Sequence, residues 1–516
     1  MSKPVPPSAQ RPHVFMVRLS GELSIKAKTT RNRFTNHLAA NIIDALESAG
    51  IDSEVRRSWA RIYITAASEE AAVVASRVFG VASVSAVEFR PWETLDDILQ
   101  VGEEIFTPTV QGKSFAVRVR RGDRKKIPFG STEVERELGS RLLPHAARVD
   151  LRQPEVTANI EIHLDDAYFS TGSLDGQQGL PIGEQGRAVA LVSGGFDSIV
   201  AAWLLLRRGV MLDYVFCNLG GTPHRDGALR VMKVLSDQWS AGYRPRIHLV
   251  DFQPVAEELQ ERCPSSLWQI LLKRQMLRAA DQIAQTAGKG KNRASAIVTG
   301  ESVGQVSSQT LQNLRVISTA TELPILRPLA GANKDEIFER ARKIGAYDLA
   351  ALVPEYCGLV KDQPATSANL TRVLESEEAL DPEHLQSLVR ERTILDLRAF
   401  DPDRSSSTEY EVDEIPADAT ILDLRSRNAF HGWHYPEALH TDYFQALRSW
   451  RSLDRSKTYV IYCEVGLKSA HLAELMREDG FRASHVRDGL KTVKRLYESQ
   501  DPALRALLSP VLLDPK

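Results

Sequence analysis

Cysteine is scarce in this chain. There are four in 516 residues, Cys217, Cys263, Cys357 and Cys463, and no two are spaced as a zinc knuckle or a C-x-x-C pair. The count excludes a disulfide-built scaffold and suits a reducing compartment, where a disulfide serves catalysis rather than strength. Long apolar runs are missing too. No stretch of about 18 apolar residues occurs, so no membrane span is expected. The Pro-rich, polar segment Met1–His13 lacks the apolar stretch of a secretory signal. A cytoplasmic location is the expectation. Charge of one sign is not in excess: 65 basic and 67 acidic side chains leave a formal net charge of −2. Contact with nucleic acid therefore has to come from local patches.

What is present is length and pattern. At roughly 150 residues per domain, three or four domains are expected, each large enough for a core. Residues 1–12 read as a disordered tail. Strands at Val14–Leu19, Arg61–Ala66 and Ser83–Phe89 and helices at Thr29–Ala49 and Glu69–Phe79 then alternate as in a small α+β sandwich. A second α+β unit has helices at Leu95–Phe106 and Ser131–Leu142, a strand at Ser114–Arg121, and a hairpin around Asp165-Asp166. From about residue 187 the apolar runs Ala188–Val192, Leu212–Cys217, Ile247–Phe252 and Ala294–Thr299 are separated by helical patterns at Asp197–Arg208, Asp226–Trp239 and Ser266–Thr286. That is the signature of a doubly wound parallel sheet. Residues 362–415, charged and rich in Pro and Ser, read as a linker holding one or two helices. Residues 416–516 form a final α/β module.

The loop Ser193-Gly194-Gly195-Phe196-Asp197-Ser198 follows an apolar strand and opens a helix. Its glycines let the backbone approach a phosphate, and hydroxyls and helix N-terminal N–H groups can hold the oxygens. Asp197 could hold Mg²⁺ or orient pyrophosphate. The bland reading is a Gly-rich turn with a Ser cap. It is neither a Walker A loop nor G-x-G-x-x-G. Cys463 ends a strand, Tyr459–Tyr462, and is followed by the loop Glu464–Lys468 and a helix, Ser469–Glu478. Such a loop lowers a thiol's pKa and holds an anionic persulfide. A buried strand-end cysteine is the equally simple alternative. Cys357, between Tyr356 and Gly358, reads as either a packed or a reactive thiol. Cys217 and Cys263 are assigned to structure. Lys26, Lys28, Arg31 and Arg33 form one basic cluster. Arg118, Arg120, Arg121, Arg124, Lys125 and Lys126 form a denser one. Both fit phosphate contacts or a solvated basic face.

Longer motifs make a resemblance specific. Ser-Gly-Gly-Phe-Asp-Ser resembles the PP-loop of the ATP pyrophosphatases. With it stand Phe216-Cys217-Asn218-Leu219-Gly220-Gly221, Leu271-Leu272-Lys273-Arg274, the run Val298 to Leu311, Ile325-Leu326-Arg327-Pro328-Leu329 and Pro354-Glu355-Tyr356-Cys357-Gly358. Together they resemble the tRNA 4-thiouridine synthases, the ThiI family, from about residue 13 to 510. Ile421-Leu422-Asp423-Leu424-Arg425 and Phe430 to Ala438 resemble the opening of a rhodanese domain. One departure is Lys468, where many rhodaneses carry Arg. A lysine keeps the charge but not the bidentate fork.

The resemblance implies a ferredoxin-like domain (1–68), a THUMP domain (69–173), a PP-loop ATP pyrophosphatase domain (174–370), a linker (371–410) and a rhodanese domain (411–516). It implies that Leu191, Val192, Ser193, Gly194, Gly195, Asp197, Ser198, Lys273, Gly300 and Gln309 contact ATP. Asp197 and Lys334 act in adenylation, with Mg²⁺ as companion ion and no protein-built metal site. From sequence alone, Lys334 also fits a solvated helix-start lysine. Cys463 matches the persulfide cysteine, and Cys357 the second cysteine, which closes a transient disulfide with it. The implied activity moves sulfur to C4 of uridine 8 in tRNA, giving 4-thiouridine. The implied partners are tRNA, a cysteine desulfurase of the IscS type, a thiol reductant, a ThiS-type carrier for thiamin thiazole synthesis, and a second copy of the chain. Three other readings stand beside it: a sulfur relay acting mainly in thiamin synthesis, a PP-loop amidotransferase or ligase, and a non-catalytic RNA-binding protein.

Overall fold

A computed structural model describes residues 12–58, 61–122, 126–288, 290, 293–353, 364–402, 410–416, 418–464 and 466–500. Residues 1–11 of the expected tail, the Cys357 segment, Arg124 and Lys125 lie outside these residues. The chain forms two compact units. One holds the residues up to Gln185 with Leu206–Val210 and Gln238–Tyr243, and the other holds the rest.

In the first unit, His13–Leu19 is the centre of a five-stranded antiparallel sheet. Arg61–Ala66 and Ser53–Arg57 lie on one side, and Val81–Ala86 and Leu174–Asp175 on the other. The apolar stripe of helix Lys28–Ser48 packs Phe34, Leu38, Ile42 and Leu46 onto it. A second five-stranded sheet is built on Ser114–Arg121, which pairs in parallel with Val156–Ile162. Val156–Ile162 in turn pairs antiparallel with Asp166–Ser170, the expected hairpin. The stretch expected as one strand, Ser83–Phe89, is two. Val81–Ala86 closes in the first sheet, and Glu88–Pro91 joins the edge of the second. Between the sheets Glu161 meets Arg61 at 3.0 Å and Arg18 at 3.8 Å.

The second unit contains the doubly wound sheet. Its central strand, Arg187–Val192, is flanked by Met211–Asn218 and then Arg246–Asp251 on one side. Ala294–Val298 and then Ile325–Leu326 flank it on the other, all parallel. The winding reverses beside Arg187–Val192, and ligands of such sheets bind at the strand carboxyl ends at that point. The segment read as a linker is folded onto this sheet. Leu370–Glu377 and Pro382–Glu391 are helices whose Val373, Leu385 and Val389 join the core. Thr393–Asp396 pairs antiparallel with Arg246–Asp251 as a sixth, edge strand. The helix expected from Asp226 starts at Gly221, because Pro223 is tolerated in a first turn. A helix at Gln253–Arg262 had no sequence expectation.

The last module has five parallel strands, with Thr458–Tyr462 between Thr420–Asp423 and Arg482–Val486. Its opening motif is a brace. Arg425 clasps Asp423 at 2.6 Å, and the Tyr462 hydroxyl donates to the same carboxylate at 2.6 Å. No helix among the described residues is long and apolar enough to cross a membrane.

Candidate active site

The strand Arg187–Val192 delivers the loop Ser193–Ser198 to the carboxyl edge of the sheet, and helix Phe196–Leu206 leaves from it. Leu191 is half-buried and Val192 buried behind the loop. Gly194 has φ +78°, and a Cβ there would stand 2.8 Å from the Ala228 Cα. Glycine is therefore set both by conformation and by the neighbouring helix. The loop is tied internally. The Ser193 N–H donates to Ser198 Oγ at 3.3 Å, the Gly195 N–H to Ser193 Oγ at 3.4 Å, and Ser198 Oγ to the Gly195 carbonyl at 2.9 Å.

Asp197 projects from the first turn. Lys334, the first residue of the capped helix Lys334–Ile344, reaches both its carboxylate oxygens at 3.2 Å, and Gln305 Nε2 donates to one of them at 2.8 Å. Lys334 is thus not merely a solvated helix-start lysine. Gly300 lies against this loop, where a Cβ would meet the Asp197 carbonyl carbon at 2.7 Å and the Ser198 nitrogen at 2.9 Å. Lys273 pairs with Glu301 at 3.0 Å. Glu301 also accepts from Arg327 at 2.8 Å and Thr299 Oγ1 at 3.1 Å. Burial pushes the Glu301 carboxyl up, but Lys273 and Arg327 outweigh it and hold it below the usual carboxylate range. Gln309 is 8% exposed, and its Oε1 is buried without a hydrogen-bond partner. A buried orphan acceptor at a strand-end crevice fits a ligand that brings a donor. Lys334, Gln305 and Gly300 thus meet at Asp197, Lys273 is held next to Gly300 through Glu301, and the Gln309 carbonyl accepts from the Gly304 N–H.

Cys463 sits at the carboxyl end of Thr458–Tyr462 and is 2% exposed. Ser469 Oγ lies 3.5 Å from its Sγ. The loop closes through two glycines. Gly466, at φ +89°, caps helix Leu467–Glu478. Gly489, at φ +56°, fits so tightly that a Cβ would fall 2.3 Å from the Cys463 carbonyl oxygen. The thiol thus faces the start of a 12-residue helix. Lys468 does not extend as a free cation: its Nζ lies over the Tyr443 ring, 5.4 Å from the centroid. Cys217 and Cys263 are buried, and burial pushes both thiols up, as their structural assignment requires. Between this loop and the doubly wound sheet lies a cavity of about 340 Å³, walled by Thr222, Asp226, Arg230, Val353, Gly466 and Leu467 among others.

In the basic clusters, Lys26, Lys28, Arg33, Arg118 and Arg120 are exposed. Arg121 is half-buried and donates to the carbonyls of Ile127 and Phe129, so it braces the following turn.

Family models match in the order the geometry suggests. They are the ThiI ferredoxin-like domain at residues 14–85, the THUMP domain at 93–171, Thiamine biosynthesis protein (ThiI) at 183–381 and the Rhodanese-like domain at 408–496. The tRNA sulfurtransferase of Pyrobaculum aerophilum is 38% identical over 480 residues, 92% of this chain and 96% of its own length. The chain belongs to the ThiI family. That of Serratia proteamaculans is 36% identical over 90% of this chain and 98% of its own. A crystal structure of a 4-thiouridine synthetase in complex with RNA and bound ATP matches with a TM-score of 0.64 and 28% identity, over 74% of this chain and 99% of that one. The ThiI assignment and the multidomain α/β and α+β fold expected from the sequence both hold. Three ThiI-motif residues received no role from sequence: Gln305, Glu301 and Arg327. All lie inside quoted motifs, so the signal was present without the contact map.

Proposed function

We propose that this enzyme transfers sulfur to C4 of uridine 8 in tRNA, with ATP as the activating co-substrate. The observation that carries it is the pairing, within one unit, of an Asp197 loop gripped by Lys334 with a Cys463 loop seated next to the same sheet. The similarity to tRNA sulfurtransferases over nearly the whole chain supports it.

Attack of the uridine O4 on the α-phosphorus releases pyrophosphate and makes AMP the leaving group in place of an unassisted oxygen. Lys334 would stabilise charge growing on the phosphoryl oxygens, and Gln309 would accept from the nucleotide. Mg²⁺ would arrive with the triphosphate, which with water supplies most of its ligands. Asp197 is the carboxylate at the loop. A cysteine desulfurase loads Cys463 as a persulfide. Its terminal sulfur attacks C4 and AMP departs. Cys357 then attacks Cys463 Sγ, leaving sulfur on C4 and a Cys357–Cys463 disulfide, which a dithiol reductant reopens. The exposed basic residues of the first unit would hold tRNA phosphates. The same persulfide would also feed a ThiS-type carrier.

The test is nucleoside mass spectrometry of tRNA incubated with the protein, Mg·ATP, cysteine, a desulfurase and a reductant, with Cys463→Ser and Asp197→Ala alongside. 4-Thiouridine from the wild type alone is expected. Sustained turnover by Cys463→Ser would move that thiol to the relay role, and no product from the wild type would sink the tRNA reading.

A further inference from the structure

The rhodanese module meets the nucleotide-binding sheet through a contact that neither motif announces. Helix Leu467–Glu478, which starts at the Cys463 loop, presents Glu474 and His471 to the first turn of Gly221–Trp239. Glu474 Oε2 accepts from the Thr222 N–H at 3.0 Å, across 252 positions of sequence. First-turn N–H groups have no partner within their own helix, and a carboxylate there meets the positive end of the macrodipole. Gly221 has φ +63°, and a Cβ on it would fall 2.3 Å from Glu474 Oε2 and 2.9 Å from His471 Cδ2. The backbone conformation favours glycine there, and the module's side chains fill the space where a Cβ would stand.

The surroundings continue the contact. His471 and His224 are each 5% exposed. His471 Nδ1 is 2.5 Å from the Tyr443 hydroxyl, and His224 bonds the backbone of Ser193 in the phosphate loop. Leu219 packs on the apolar cluster that includes Tyr443 and Cys463. Gly227 leaves room for Leu467, whose Cδ1 would be 3.6 Å from a Cβ there. One face thus joins the phosphate loop, the first turn of its neighbouring helix and the persulfide loop. Cys463, 2% exposed, lies in the apolar cluster of its own module that Leu219 covers from the sheet side, so in this arrangement a donor protein has no open approach to Sγ.

We infer that Glu474 is a positioning residue, a latch on the first turn of Gly221–Trp239 that docks the persulfide module for delivery and releases it for loading. The inference rests on the sulfur-transfer reading above for its consequence, but not for its geometry. Loading and delivery then make opposite demands on one hydrogen bond, whereas simple destabilisation would harm both.

The test uses the full-length protein and two variants that reach the bond from its two ends. Glu474→Gln keeps the shape and removes the charge. Thr222→Pro removes the donor N–H at a position where a helix tolerates proline. Three rates are measured: alkylation of Cys463 by iodoacetamide, read by peptide mass; persulfide loading by a cysteine desulfurase; and single-turnover 4-thiouridine formation from pre-loaded enzyme. Alkylation and loading are expected to rise and transfer to fall, each by about tenfold, the size of one charge-assisted bond. The double variant should be no worse than the worse single one. Unchanged alkylation and transfer would overturn the latch, as would loading and transfer falling together. If the wild type makes no 4-thiouridine at all, the function reading fails, and the alkylation rates still decide the latch.

Discussion

Gly300 shows how strictly the edge around the Ser193–Ser198 loop is fitted. A methyl group there would press on the backbone of Asp197 and Ser198, which cannot swing away as a side chain can. Gly300→Ala is expected to cut tRNA-dependent AMP formation by about 100-fold through displacement of the loop, while persulfide loading on Cys463 stays intact. A pyrophosphate-release assay beside a persulfide mass measurement checks both halves, and equal AMP formation would refute it. Much of this edge was legible one residue at a time. Gly194, Asp197 and Gly300 sit in motifs whose residue types already imply close backbone approach and charge. Lys334 could not be decided from sequence, because a lysine opening a capped helix looks the same whether it faces water or Asp197. Glu474 left no trace, since its partner is a backbone N–H that any residue but proline would supply.

At the scale of elements, strong apolar periodicity placed most helices and strands, and the misses share a cause. Thr393–Asp396 is short, half exposed and set in a charge-rich stretch, so nothing local marks it. It is a strand because Arg246–Asp251 offers it an edge. Ser83–Phe89 alternates without a break in sequence, and only pairing reveals that it serves two sheets. Where those sheets meet, burial pushes the Glu161 carboxyl up, but the bond from His163 and the guanidinium groups of Arg61 and Arg18 prevail and hold it at about 2. Glu161→Gln would leave two half-buried cations without their counter-charge. It is expected to cost about 3 kcal/mol, the low end for breaking a buried pair. Hydrogen exchange should then quicken in His13–Leu19 and Arg61–Ala66, and unchanged protection there would refute the brace.

For the whole molecule, four buried imidazoles set an acid limit. Burial lowers His224 to about 3 and His248, His471 and His485 to about 4. An unfolded imidazole titrates near 6.5, so below that pH the unfolded chain binds more protons than the folded one. Stability is full above about pH 6.5 and is lost as pH falls toward 4, by up to about 1.4 kcal/mol per unit for each ring. Thermal unfolding between neutral pH and pH 4.5 should show a falling midpoint in the second unit, and a flat profile would contradict the burial. Truncation gives a second check. A chain ending at residue 402 keeps Val373, Leu385, Val389 and the sixth strand. One ending at 370 loses them, and is expected to aggregate on size-exclusion chromatography while the longer piece stays dispersed.

That edge strand has a consequence for the order of events during synthesis. Arg246–Asp251 leaves the ribosome long before Thr393–Asp396 does, so the nascent sheet carries an open flank through much of translation. The flank closes only when the segment leading to the rhodanese module has emerged, so the ribosome commits the doubly wound sheet to its final form shortly before it delivers the module that docks on it.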